Sequence, residues 1–197
     1  MALPEHAAPG HTIRRLWPGD RPAVLDYFQR LDPETRANRF MGPVGEAGTR
    51  AYAERAVTAE GLVVGAFVDG VLRGLGELRP AGTPHGFMLG AEAEAAFAVE
   101  RDFRRRGIGT ALFGRIASAA RNRGVGTLHV RCLDRNKPML RLAAKLGADL
   151  HRSACETRGD LRLAQATPFS LWYESIAEAY DFTLSVIQPV LAEENAA

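Results

Sequence analysis

Lysine is nearly missing from this sequence: of 25 basic residues only Lys137 and Lys145 are lysines, and the rest are arginines. The bias reads as one of base composition, yet arginine's fixed charge and planar fork suit anionic ligands. Cysteine is equally scarce. Cys132 and Cys155 stand in stretches that read as strand interiors, and no Cys-x-x-Cys or Cys/His cluster exists; neither a metal centre nor a disulfide framework is expected. No charge of one sign dominates, since the net charge is +2, so charge alone gives no case for nucleic acid. No run approaches the ~18 apolar residues of a membrane span, and residues 1–11 lack the basic-then-apolar pattern of a signal peptide. A cytoplasmic protein with no membrane partner is the expectation. What is present is ordinary for a globular chain: 46% hydrophobic and 24% charged in 197 residues, enough for one domain that needs no staple.

The chain divides into a loose, Ala- and Pro-rich start (1–10), a main domain (11–167) and a helical extension (168–197). Residues 11–16 form a short strand. Asp20 can cap a helix running to about Leu31, in which Val24, Leu25, Phe28 and Leu31 recur at helical spacing. Asp32-Pro33-Glu34-Thr35 is a turn or new helix start, and residues 46–57 form another helix. Apolar runs at 62–68 and 71–78 flank Asp69-Gly70, a hairpin signal. A loop covers 80–86 and a third strand 91–99. From Gly107 to about Arg123 the period is helical, with Ile108, Leu112, Phe113, Ile116 and Ala120 on one face and Gly124 ending it. Residues 127–133 form a strand, and 136–146 a helix stopped by Gly147. Residues 149–157 and 160–166 form two closing strands around Arg158-Gly159. The last helix begins at Thr167-Pro168, and Pro189 should end or kink it. Antiparallel strands first, then strand–helix–strand–helix, give an α/β (α+β) chain: a mixed, mostly antiparallel sheet with helices on both faces, plus an extra C-terminal helix.

The stretch from Phe97 to Leu112 is the most informative. A strand ends near Val99, a helix starts near Gly107, and Arg104-Arg105-Arg106-Gly107-Ile108-Gly109 lies between them. The first turn of a helix has unpaired N–H groups and a positive dipole end, and glycines at 107 and 109 let a ligand approach the backbone. A diphosphate suits such a corner; a basic, solvated tight turn is the plainer alternative. No Gly-Lys-Ser/Thr follows, and position 112 is Leu, which rules out Walker A and Gly-x-Gly-x-x-Gly.

Arg104-x-x-Gly107-x-Gly109, preceded by the short apolar strand 95–99, resembles the acetyl-CoA signature of the GNAT acetyltransferases. Residues 130–148, with Asn136-Lys137-Pro138-Met139-Leu140, resemble the second half of that family's cofactor site. The resemblance covers about residues 11–166. It is strongest to the GNAT domain of bacterial protein-lysine acetyltransferases, which carry a stretch like Asp32-Pro33-Glu34-Thr35-Arg36-Ala37-Asn38-Arg39-Phe40.

The resemblance implies a GNAT fold and transfer of an acetyl group from acetyl-CoA (coenzyme A) to a primary amine by direct attack in a ternary complex. The acceptor it implies is a protein lysine first and a small-molecule amine second. Residues from Val99 to Arg101 would pair with the pantetheine arm, with a backbone N–H near Val99 as oxyanion donor. Arg104, Arg105, Arg106, Gly107, Ile108, Gly109 and Thr110 would hold the pyrophosphate. Glu94 is the first candidate for the catalytic base, where an apolar cleft would raise its pKa; Glu92, two residues earlier on the same face, could share or replace that role, and Glu77 stands third. Glu100 would only balance the arginines. A tyrosine that many members carry falls at Ala143, so that general acid is absent or supplied elsewhere, water included. Asn136 is either a cofactor contact or a helix cap.

His129, Cys132 and His85 have plain readings as a packed histidine, a core thiol and a loop residue, and His85 could line a substrate entrance. Arg36, Arg39 and Phe40 either border the acceptor or form a solvated helix face. The final helix either closes over the sheet or presents Trp172 and Tyr180 to a second copy in a homodimer. Two rivals use the same loop without turnover: an acyl-CoA sensor, and an interaction module for another anion.

Overall fold

The computed structural model describes the backbone of residues 7–8, 10–57, 60–82 and 89–194, and the side chains of 10–57, 60–82 and 89–186. Its strands are β1 (Ala7–Ala8), β2 (His11–Arg15), β3 (Leu62–Val68), β4 (Val71–Pro80), β5 (Glu92–Val99), β6 (Thr127–Leu133), β7 (Asp149–Ser153) and β8 (Glu156–Arg162). The helices are α1 (Arg21–Arg30), α2 (Pro33–Arg39), α3 (Glu46–Ala56), α4 (Ile108–Asn122), α5 (Lys137–Lys145) and α6 (Pro168–Glu194). The strands form one sheet in the order β1-β2-β3-β4-β5-β6-β8-β7. Every pairing is antiparallel except β5 with β6, which is parallel.

Side-chain alternation along the strands feeds two cores. Val64, Ala66, Ala93, Ala95, Leu128 and Val130 face α4, where they meet Ile108, Leu112, Phe113 and Ile116. Val63, Phe67, Leu75 and Ala98 face the other way, onto Val24, Tyr27, Phe28 and Ala53 of α1 and α3. β3 is therefore buried on both faces, which explains its unbroken apolar run. Asp69 (φ 50°) and Gly70 (φ 74°) make the β3–β4 turn, the left-handed pair a tight hairpin requires. Gly74 lets α4 come close: a Cβ there would meet Ile108 Cγ2 at 3.0 Å and Leu112 Cδ1 at 3.2 Å. That approach sets where the first turn of α4 lies. α2 is capped by Asp32, whose carboxylate accepts the Thr35 N–H at 3.0 Å and the Thr35 hydroxyl.

Several details differ from the sequence reading. Ala7–Ala8 is paired with β2, so the start of the chain is not wholly loose. Asp20 makes no side-chain cap on α1; its oxygens are taken by the buried Arg14 guanidinium at 2.6 and 2.9 Å and by the Trp17 N–H. The closing hairpin turns at Ala154–Cys155, with Ala154 at φ 52°, so Cys155 is an exposed turn residue. Gly159 lies inside β8, where a Cβ would meet Leu150, Ala148 and Ala143; the glycine serves packing beneath α5. α6 runs through Pro189 to Glu194, and the carbonyl that Pro189 frees belongs to Ser185, a partly exposed residue. Among the described residues no helix is long and apolar enough to cross a membrane, and no His/Cys/Asp/Glu group could hold a metal ion.

Gly74→Val is expected to cost about 1–3 kcal/mol by overpacking against Ile108 and Leu112, read as a lower urea midpoint at unchanged slope. A second expectation concerns acid. Burial opposes ionisation of Asp32, but Thr35 and Arg101 hold its carboxyl down at about 2. A depressed carboxylate contributes stability that is full above its unfolded value near 4 and lost as pH falls toward 2. Asp32→Asn should therefore lower the melting temperature at pH 6, with the gap to wild type closing between pH 4 and 2.

Candidate functional site

The sheet opens where β5 and β6 stop pairing. Their parallel register runs from Glu92↔Thr127 to Ala95↔Val130, yet β5 continues to Val99 and β6 to Leu133. The Glu100 N–H bonds to the Arg73 carbonyl at 2.9 Å, which fixes the phase of the β4–β5 ladder. Ala96 and Ala98 then bond toward β4, while the peptide groups of Phe97 and Val99 turn toward the gap. Three side chains pin this strand end. The Tyr27 hydroxyl donates to the Ala98 carbonyl at 2.8 Å. Arg104 Nε donates to the Val99 carbonyl at 3.2 Å. Glu100 bridges Arg30 and Arg73 rather than the loop arginines it was expected to balance.

Next to the gap, Arg105 (φ 63°) and Gly107 (φ 83°) both adopt left-handed backbone, and α4 begins with no side-chain cap. The first bond of the helix runs from the Ala111 N–H to the Gly107 carbonyl at 3.0 Å, so the amides of Ile108, Gly109 and Thr110 have no intrahelical acceptor. A Cβ built on Gly107 would meet nothing within 4 Å, so the turn is open at that glycine. Two loop arginines turn away from it. Arg104 also donates to the Thr35 hydroxyl on α2, and Arg106 lies over the Phe103 ring and donates to the Asp102 carbonyl. Arg101 is exposed and paired with Asp32 and Glu34. Open amides at a positive helix end, beside strand amides facing a gap, fit a diphosphate followed by an amide-bearing arm.

On the face toward α1–α3, Glu92 and Glu94 are exposed. Glu94 therefore does not sit in an apolar cleft; it stands opposite Arg79 on one side and His129 on the other. His129 is buried, with Nδ1 2.8 Å from Asp160 Oδ1 and Nε2 3.1 Å from Glu92 Oε2. Arg158 brackets Asp160 at 2.7 and 2.8 Å and, ahead of opposing burial, holds its carboxyl at about 2, with His129 adding to the effect. Sequence reasoning gives His129 as a packed histidine and does not single out Asp160, whose position depends on the hairpin register.

Glu77 is fully buried. Arg39 reaches Oε1 at 2.6 Å; Tyr52 and Arg79 reach Oε2 at 2.6 and 2.8 Å. Burial would raise its pKa, but the two guanidiniums and the hydroxyl hold it below the ordinary glutamate range, and its partners occupy both oxygens. Arg39 and Phe40 are thus packing residues, Phe40 lying against Phe28 and Tyr52; Arg36 is partly exposed, with a long 3.4 Å contact to the Leu31 carbonyl. Asn136 caps α5 by accepting the Met139 N–H at 3.4 Å. Ala143 is buried against β8, while Leu142 is the α5 residue nearest Gly109. Cys132 is a core thiol pushed up by burial and then by Asp134. His85 lies outside the described residues.

This geometry has relatives. The GNAT domain of S. lividans PAT superposes with a TM-score of 0.65 at 20% identity, covering 78% of this chain and 90% of that one. The Salmonella typhimurium protein yncA, solved with its cofactor acetyl-CoA, gives 0.60 at 19% identity over 81% and 97%. A GNAT-family acetyltransferase from Streptococcus pneumoniae gives 0.62 at 13% over 78% and 99%. At these identities the likeness speaks for the fold. The sequence itself matches the family model for the acetyltransferase (GNAT) family over residues 24–148, and with that match the chain belongs to this family of acetyl-CoA-dependent N-acetyltransferases.

Proposed function

We propose that the acceptor is a protein lysine and that Glu94 is the base that deprotonates it. The observation that carries this reading is the pair of exposed carboxylates on the paired stretch of β5 that leads to the β5–β6 gap. These are Glu92 and Glu94, and Asp160 lies behind His129. Such a pair attracts an ammonium and suits a side chain delivered from a large partner. A small amine would rely on enclosing walls, and it is the second reading. A cytoplasmic location goes with the protein acceptor.

Acetyl-CoA supplies an activated thioester carbonyl. The amides of Ile108, Gly109 and Thr110 would hold its diphosphate. The Phe97 and Val99 peptides would align the arm like an added strand, and the Val99 N–H would stabilise the developing oxyanion. Glu94 takes one proton from the ammonium, so the neutral amine can attack. His129, backed by Asp160, keeps Glu92 in place beside it. As the C–N bond forms the C–S bond breaks; Ala143 gives α5 no acid, so the departing thiolate takes its proton from water.

Gly107→Glu should abolish coenzyme A binding in calorimetry while circular dichroism stays unchanged. Gly107→Ala carries the same backbone strain without the carboxylate and should keep measurable affinity; equal, wild-type affinity in both would refute the loop assignment. Glu94→Gln should lower kcat by ~100-fold or more with little change in coenzyme A affinity, measured by thiol release over a panel of lysine peptides, folded proteins and small amines. Wild-type rates would move the base to Glu92 or water. Turnover confined to small amines would replace the protein acceptor, and binding without any turnover would leave a sensor.

A further inference from the structure

α6 is docked with its polar side inward. Between Pro168 and Val186 its only charged residues are Glu174, Glu178 and Asp181, and all three are turned to the domain. Glu174 accepts from Asn122 and Arg123, Glu178 from Arg15 and Arg123, and Asp181 from Arg115 and the Arg15 N–H. Over these residues the opposite side carries no charge and is rich in large apolar groups. Phe169 is 71% exposed, Trp172 60%, Ile176 45% and Tyr180 55%. At 3.6 residues per turn these four fall in one stripe about 80° wide. The helix therefore does not close over the sheet with its apolar face; it lies against β2 and α4 through ion pairs.

We propose that this stripe is a homodimer interface, occupied by the same stripe of a second copy running antiparallel about a two-fold axis at Ile176. Charge selects that occupant. A charged partner surface would be desolvated against a face with nothing to pair it, and an anionic membrane would want Lys or Arg, which α6 lacks. An identical uncharged stripe has neither conflict. The spacing is also self-complementary: about a dyad at Ile176, Trp172 of one copy meets Tyr180 of the other, and the reverse, so that two aromatic pairs flank a central isoleucine contact. The 27-residue helix is about 40 Å long, and the stripe with its flanks offers on the order of 500 Å² per copy, near the ~1,000 Å² total at which specific interfaces begin. The dimer is accordingly concentration-dependent. α6 sits at the β2 edge of the sheet, so the pairing leaves the β5–β6 gap of each copy open.

Analytical ultracentrifugation of the full chain over a concentration series tests this. Wild type should show a monomer–dimer equilibrium, Trp172→Glu should sediment as a monomer, and Leu171→Glu, an apolar residue on the other side of the helix, should still dimerise. Circular dichroism and coenzyme A binding on each variant separate loss of pairing from loss of fold. Ile176→Cys in a Cys155→Ser background should form a disulfide-linked dimer under mild oxidation, a result that does not depend on a destabilising charge. A wild-type chain that stays monomeric at every concentration, a dimer unaffected by Trp172→Glu, or a monomer that co-sediments with phosphatidylcholine–phosphatidylglycerol vesicles would overturn the proposal.

Discussion

A sheet that stops pairing in its middle carries a cost, because strand peptides left without partners must find others. Here β5 and β6 part after Ala95 and Val130, and the surrounding structure is arranged around that break. Tyr27, Arg104 and the Arg30–Glu100–Arg73 bridge hold the orphaned end of β5 from three directions. They fix its position without capping the amides of Phe97 and Val99. A site that must bind an amide-bearing arm gains from this, since the strand is ordered before ligand arrives and little ordering entropy remains to be lost on binding.

The same residues tie the pieces of the site to one another. Arg104 joins the loop both to Val99 and, through the Thr35 hydroxyl, to α2. Asp32 at the head of α2 holds that same Thr35 and accepts Arg101 from the start of the loop. The loop before α4 and helix α2 thus share one network. Glu77, Arg39, Tyr52 and Arg79 form the second support, a buried ionic cluster fixing α2 and α3 on the sheet. Removing one member of such a cluster costs several kcal/mol because the rest are left uncompensated in a dry interior. Its role is to hold α2 and α3 on β4.

The parts legible in the sequence were those whose physics is local. β3, β4, β6 and α4 follow from apolar periodicity, and the β3–β4 turn from Asp69-Gly70, where backbone demands and residue types coincide. The left-handed turn before α4 was legible for the same reason: glycine is the residue at ease at φ 83°. What failed to show was non-local. All of β7 is exposed, so burial left no pattern there, and its turn uses Ala154 in a left-handed conformation without a glycine to mark it. Gly159 drew the turn to the wrong place because packing, too, selects glycine. That shift hid Asp160 from His129, a pairing set entirely by the β6–β8 register. Glu77 could not be told from an edge carboxylate until its partners on α2 and α3 were in place.

Arginine ties these observations together. A chain with 23 arginines and two lysines invites the reading that its basic loop grips an anion through side chains. The guanidiniums of Arg104 and Arg106 are instead turned back onto the protein, as are Arg14, Arg39, Arg79, Arg115 and Arg123 onto buried carboxylates. The planar fork is suited to this, since it meets several acceptors in fixed geometry and cannot shed its proton. In the loop these arginines tie the turn to Val99, Thr35 and Asp102, and in the reading proposed above the anion contact falls to main-chain amides. The same logic runs through α6, where Arg15, Arg115 and Arg123 draw every described charge of the helix inward and leave its other side apolar. Cations used as internal struts thereby determine both how the turn before α4 is held and which side of α6 is left apolar.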